Sequence, residues 1–131
     1  VQFSPSLSQE EKIEYYRGAV RRYVAALNGK DLDAILALYA ENAVVQDPVF
    51  QREFRGKQAL REFYAQVITR AQLEITGPIR GSYGNVTATP IKARIPGVEI
   101  DVISLTTFDD DGLVSLYTAY WGPSDSHAVA G

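Results

Sequence analysis

Three consecutive pieces decide the fold class: Val98-Glu99-Ile100-Asp101-Val102-Ile103-Ser104-Leu105-Thr106-Thr107-Phe108, then Asp109-Asp110-Asp111-Gly112, then Leu113-Val114-Ser115-Leu116-Tyr117-Thr118-Ala119-Tyr120-Trp121. Both outer runs are rich in β-branched and aromatic residues, and the acidic turn between them reads as a hairpin connection. Alternation puts Ile100, Val102, Ser104 and Thr106 on one strand face, and Ser115, Tyr117, Ala119 and Trp121 on one face of the last strand. Upstream, residues 85–95 break at Pro96-Gly97 and residues 73–83 break at Gly84-Asn85, two further turn signals. Thr87, Thr89, Ile91 and Ala93 share a face of the run 85–95. The second half therefore reads as a meander of four antiparallel strands.

The first half reads as helices. Ser8-Gln9-Glu10-Glu11 is a capping box, and Ile13, Tyr16, Val20, Tyr23, Val24 and Leu27 recur at helical spacing until Asn28-Gly29. Asp31 can cap a short second helix carrying Leu32, Ile35, Leu36 and Tyr39. A third helix is expected over residues 57–71, with Leu60, Phe63, Tyr64, Val67 and Ile68 inward. Helices followed by strands give an α+β class: three N-terminal helices packed on a curved, mainly antiparallel sheet. No repeat or linker interrupts the chain, so residues 1–131 form one domain, with residues 1–7 and 123–131 expected to be flexible ends.

Composition narrows the function. The 131 residues are 46% hydrophobic and 22% charged, ordinary for one globular domain that needs no staple. With no cysteine there is no disulfide, thiolate nucleophile or Cys-based zinc site, and the one histidine, His127 in the tail, cannot build a metal site. A net charge of −3 argues against nucleic acid or an anionic membrane surface as partner. No apolar run approaches the roughly 20 residues of a membrane span, and no charged-then-apolar leader opens the given sequence. The expectation is a cytoplasmic enzyme or binder of a small neutral ligand without metal or cofactor; the sequence opens at Val1, which leaves the true N-terminus open.

Between the second and third helices lies Ala43-Val44-Val45-Gln46-Asp47-Pro48-Val49-Phe50, a strand-like run containing one acid. Alternation places Asp47 beside Val45 and Val49. A carboxylate among apolar groups loses hydration and becomes a better proton acceptor, which makes Asp47 a candidate general base. The competing reading is a strand-end Asp bonded to a turn begun by Pro48.

Several segments together resemble the bacterial ketosteroid isomerases, on the cone-shaped fold of the nuclear-transport-factor-2-like proteins. They are Arg22-Tyr23-Val24-Ala25-Ala26-Leu27-Asn28, Asp31-Leu32-Asp33, Leu38-Tyr39-Ala40, the Asp47 run, Arg61-Glu62-Phe63-Tyr64 and Tyr117-Thr118-Ala119-Tyr120-Trp121. The 24-residue interval from Tyr23 to Asp47 also matches. That family is a standard illustration of pKa tuning in catalysis. The resemblance implies a deep apolar pocket, a homodimer, and an isomerase that moves the C5–C6 double bond of a 3-oxo-Δ5 steroid to C4–C5. It implies Asp47 as base and proton shuttle and Tyr23 as donor to the oxyanion, with Tyr64 and Tyr39 behind Tyr23. It also implies that Trp121 hydrogen-bonds to Asp47. A pocket lining of Trp121, Tyr117, Ala119, Val102, Ile91, Thr89, Leu27 and Ile68 is the expectation from strand parity and the resemblance; core filling is the alternative for the tyrosines and for Leu27 and Ile68.

The chain departs from the family at the second oxyanion donor, where relatives carry a protonated Asp and this sequence has Ser104. Asp101 lies an odd number of residues away and points to the opposite face. A hydroxyl is a neutral donor at every working pH, so Ser104 is expected to take the donor role, with Ser104→Ala slowing the reaction and Ser104→Asp not. Two other readings stand beside the isomerase: a polyketide-cyclase-like enzyme on the same fold, and a non-catalytic dimer that binds an apolar ligand. A cyclase would often add a His or second carboxylate, and an epoxide hydrolase an Asp-Arg-Asp set; neither is evident. A passive binder gains nothing from a buried acid.

Overall fold

A computed structural model describes residues 2–130. Three helices, α1 (Gln9–Asn28), α2 (Leu32–Ala37) and α3 (Gly56–Val67), pack on strands β1 (Tyr39–Gln46), β2 (Glu53–Arg55), β3 (Gln72–Ile75), β4 (Val86–Ile95), β5 (Val98–Phe108), β6 (Val114–Tyr120) and β7 (Ser126–Ala128). The seven strands form one sheet in the order β2-β1-β6-β5-β4-β3, with β7 added to β5. All pairings are antiparallel except β1 with β6. The fold is thus the expected α+β class, an open curved mixed sheet with helices on it.

Local sequence explains the main elements. Ser8 Oγ accepts from the Glu11 N–H while the Glu11 carboxylate accepts from the Ser8 N–H, closing the capping box. From there Ile13, Tyr16, Val20, Tyr23, Val24 and Leu27 bury one stripe of α1. Gly97 and Gly112 turn the two hairpins at φ of 80° and 77°, a region that favours glycine. The inner sheet face and the helices share one core, with Ile35, Ala43, Val45 and Leu60 fully buried.

Four expectations are corrected. Tyr39 does not belong to α2 but begins β1, because the Val114 N–H donates to the Leu38 carbonyl and Tyr39 pairs with Val114. The third helix stops at Val67, and the Lys30 ammonium takes the Ile68 carbonyl just beyond it. The run 73–83 yields only β3, since Gly77-Pro78 breaks the ladder and it resumes as a single bridge between Arg80 and Ala88. The C-terminal segment, given no element by the sequence, carries regular structure: Asp125 accepts from the Gly122 N–H, residues 123–125 form a 3₁₀ turn, and Ala128 pairs with Val98. At the other end, Phe3 packs on Tyr15 and Tyr16.

Candidate active site

Asp47 follows the last residue of β1, so it is a strand-end acid. The Asp47–Pro48 peptide is cis. Two bonds lock the return of the chain: the Asp47 N–H donates to the Arg52 carbonyl at 3.1 Å, and Arg52 Nε donates to the Asp47 carbonyl at 2.8 Å. The parallel register Gln46↔Thr118 sets Asp47 beside the end of β6, and the Val49 N–H reaches the Ala119 carbonyl at 2.9 Å. There the Trp121 indole N–H donates to Asp47 Oδ1 at 2.9 Å. Burial pushes the Asp47 carboxyl above the usual Asp range; the Trp121 bond and the Arg52 charge pull the other way without cancelling it. Both readings of Asp47 therefore hold together: it ends a strand, and its carboxyl is buried and more basic.

Three phenols converge from three elements. Tyr23 comes from α1, Tyr39 from the start of β1 and Tyr64 from α3. Tyr64 Oη lies 3.0 Å from Tyr23 Oη and 2.5 Å from Tyr39 Oη. All three are buried, and desolvation holds each phenol well above its ordinary value, so all are protonated at working pH. A donating order Tyr39 to Tyr64 to Tyr23 leaves the Tyr23 proton free for a ligand oxygen, and each bond polarises the next.

Asp47 and Tyr23 open onto one cavity of about 280 Å³. Its walls include Leu27, Phe63, Val67, Ala71, Leu73, Ile91, Ala93, Ile100, Val102, Ala119 and Trp121, with Tyr64 and Tyr117 among them and Arg52, Gln66 and Arg70 at the exposed rim. This volume is at the lower edge of the roughly 300–1,000 Å³ of small-molecule sites. Asp47 is the sole carboxylate on it among the described residues. Those residues also hold no cluster of three or more His, Asp or Glu that fits a metal. His127 sits on β7 with Nε2 3.3 Å from Asp101, outside the cavity.

Most expected lining residues are on this wall: Trp121, Tyr117, Ala119, Val102, Ile91 and Leu27. Ile68 and Thr89 are not. Ile68 caps α3 where the helix turns away, and Thr89 is fully buried in the sheet opposite Ser104. Ser104 is also fully buried and faces a separate void of about 10 Å³, bordered by Tyr23, Tyr39 and Tyr117. Its Oγ has no hydrogen-bond partner in the protein. Tyr23, Ile91 and Tyr117 border both spaces, and Ser104 borders only the small one. Sequence reasoning missed Arg52, whose bond to Asp47 is a property of the turn and carries no motif.

A cone of helices on a curved sheet, with an apolar pocket ending on an acid and bonded phenols, defines a class of small-ligand domain. The family model of the SnoaL-like domain matches residues 20–117, and the chain belongs to that family. It is 34% identical over 116 residues to the steroid Delta-isomerase of Nocardioides simplex, covering 83% of this chain and 91% of that protein. Among solved structures it resembles the epoxide hydrolase/cyclase-like enzyme SalBIII, described for pyran ring formation in the polyether salinomycin. That match has a TM-score of 0.85 and 24% identity over 93% of this chain and all of that one, a likeness of fold.

Proposed function

We propose that the protein is a steroid Δ-isomerase acting on a 3-oxo-Δ5 steroid. Asp47 removes a proton from the carbon between the ketone and the double bond, giving a dienolate and a protonated Asp47. The same carboxyl then returns that proton to the far carbon, which leaves the double bond conjugated with the ketone. Nothing is oxidised and no proton leaves the site. Tyr23 donates to the oxygen on which charge develops, and its partner Tyr64 fixes the hydroxyl where water is excluded. Trp121 holds Asp47 Oδ1 in place. A homodimer, joined through the outer sheet face, belongs to this reading.

The observation that carries it is that Asp47 and Tyr23 face one apolar cavity, an acid and a phenol where this reading needs a base and an oxyanion donor. The 34% identity with a steroid Delta-isomerase supports the same chemistry. The cyclase-like reading has the fold likeness behind it but finds a single carboxylate on the cavity instead of a pair. The test is ultraviolet detection of enone formation from a 3-oxo-Δ5 steroid by the parent and by Asp47→Asn. Turnover by the parent and a drop of about 10²-fold or more in the variant are expected, since general-base catalysis contributes roughly 10²–10⁴-fold. No turnover by the parent, or equal turnover by both, rejects the isomerase.

A further inference from the structure

A developing oxyanion has lone pairs for two donors, and an inventory of cavity hydroxyls and N–H groups identifies one that is free. The Trp121 N–H is committed to Asp47, and Arg52 Nε to the Asp47 carbonyl. Tyr64 has a single proton and lies between Tyr23 and Tyr39, both in bonding range. Gln66 and Arg70 stand at the exposed rim. Tyr117 is different. Its side chain is buried, its ring centroid is 5.2 Å from that of Tyr23, and its hydroxyl has only loose polar neighbours, Ser104 and Tyr23. Ser104, at the place where the sequence suggests a donor, borders the small void beside Tyr117 and is not on the wall of the cavity.

We propose that Tyr117 supplies the second hydrogen bond to the substrate oxygen, and that Ser104 is a positioning residue acting through Tyr117. This rests on the isomerase reading. The two phenols are then arranged alike, Tyr23 backed by Tyr64 and Tyr117 backed by Ser104. In the free protein the Ser104–Tyr117 contact is long, as catalytic hydrogen bonds often are before a ligand tightens them. Burial and the nearby Asp47 charge push the Tyr117 phenol up to about 12 against a smaller opposing pull from Ser104 and Tyr23, so it keeps its proton as a donor must. A phenol in place of an acid also avoids the requirement that a carboxyl be held neutral at pH 7.

The variants Tyr117→Phe, Ser104→Ala and their double separate the roles. Tyr117→Phe keeps the ring and loses the donor, so kcat is expected to fall roughly 10²-fold with KM little changed. Ser104→Ala alone is expected to cost about fivefold in kcat, the worth of one neutral hydrogen bond. The double variant is expected to be no slower than Tyr117→Phe, because Ser104 has nothing left to position. Effects that multiply, or full activity of Tyr117→Phe, overturn the proposal.

A second measurement needs no turnover. In an Asp47→Asn background, which removes the like charge, bound 2-naphthol is titrated by the absorbance of its ionised form. Adding Tyr117→Phe is expected to lower the ionisation equilibrium of the bound naphthol at least tenfold. Naphthol that stays neutral in the Asp47→Asn protein, or ionises equally with and without the Tyr117 hydroxyl, overturns the assignment. A parent inactive on steroids alongside naphthol that ionises through Tyr117 overturns the isomerase reading alone.

Discussion

Burial raises the Asp47 carboxyl, and the Trp121 bond moderates that rise. The carboxyl is raised by burial and lowered by the indole bond and by Arg52, so each neighbour has a defined sign. In the isomerase reading Asp47 acts only when ionised, so kcat/KM is expected to fall as pH drops through its folded-state value, which lies above the ordinary Asp range. Trp121→Phe removes a bond to the charged form and leaves burial in place. The acid limb of the kcat/KM profile is therefore expected to move to higher pH. A limb at the same pH in both proteins would show that Trp121 does not tune Asp47. Part of this candidate site was legible in the chain: Asp47 by its apolar neighbours, and Tyr23, Tyr64 and Trp121 by the family resemblance of the segments that carry them. Ser104 illustrates what was not. Strand parity gave its face, but parity cannot say that this face borders a small void instead of the cavity that holds Asp47.

At the scale of elements, α1 carries Tyr23 four turns away from its cap, so the cap acts on the stability of the helix and not on the chemistry. Ser8 and Glu11 satisfy two backbone N–H groups that the helix cannot. Ser8→Ala is expected to cost about 1 kcal/mol. For a chain of this size that is a fall of roughly 2–6 °C in Tm by calorimetry. The kcat/KM of Ser8→Ala well below Tm should match the parent; lost activity without lost Tm would place Ser8 in the site. The elements that reasoning from sequence recovered best are those with such local signals: the capped α1 and the hairpin turned by Gly97. Those it misdrew were set by partners distant in the chain. Val114 claims Tyr39 for β1, and β5 captures the tail as β7.

At the scale of the molecule, the outer sheet face argues for a second copy of the chain. Ile103 and Tyr120 are register partners on β5 and β6, and they are 47% and 41% exposed. Phe50, 95% exposed, leans its ring on Tyr120 with centroids 6.5 Å apart. Large side chains on adjacent strands form a continuous apolar surface, unlike isolated exposed residues, which need no explanation. Phe50 belongs to the turn whose bonds fix Asp47 and Arg52, so a partner covering Phe50 also braces the turn that holds the base. In the proposed homodimer, association and activity are expected to be linked. Sedimentation is expected to give twice the 14.5 kDa chain mass for the parent and the single mass for Ile103→Lys, a change on an exposed position that leaves the monomer fold intact. Activity per chain should fall with the loss of the dimer. It should also recover in part at protein concentrations high enough to restore association, since a bound partner stabilises by mass action. A parent that sediments as a monomer, or an Ile103→Lys monomer with full activity at every concentration, would separate the site from this face.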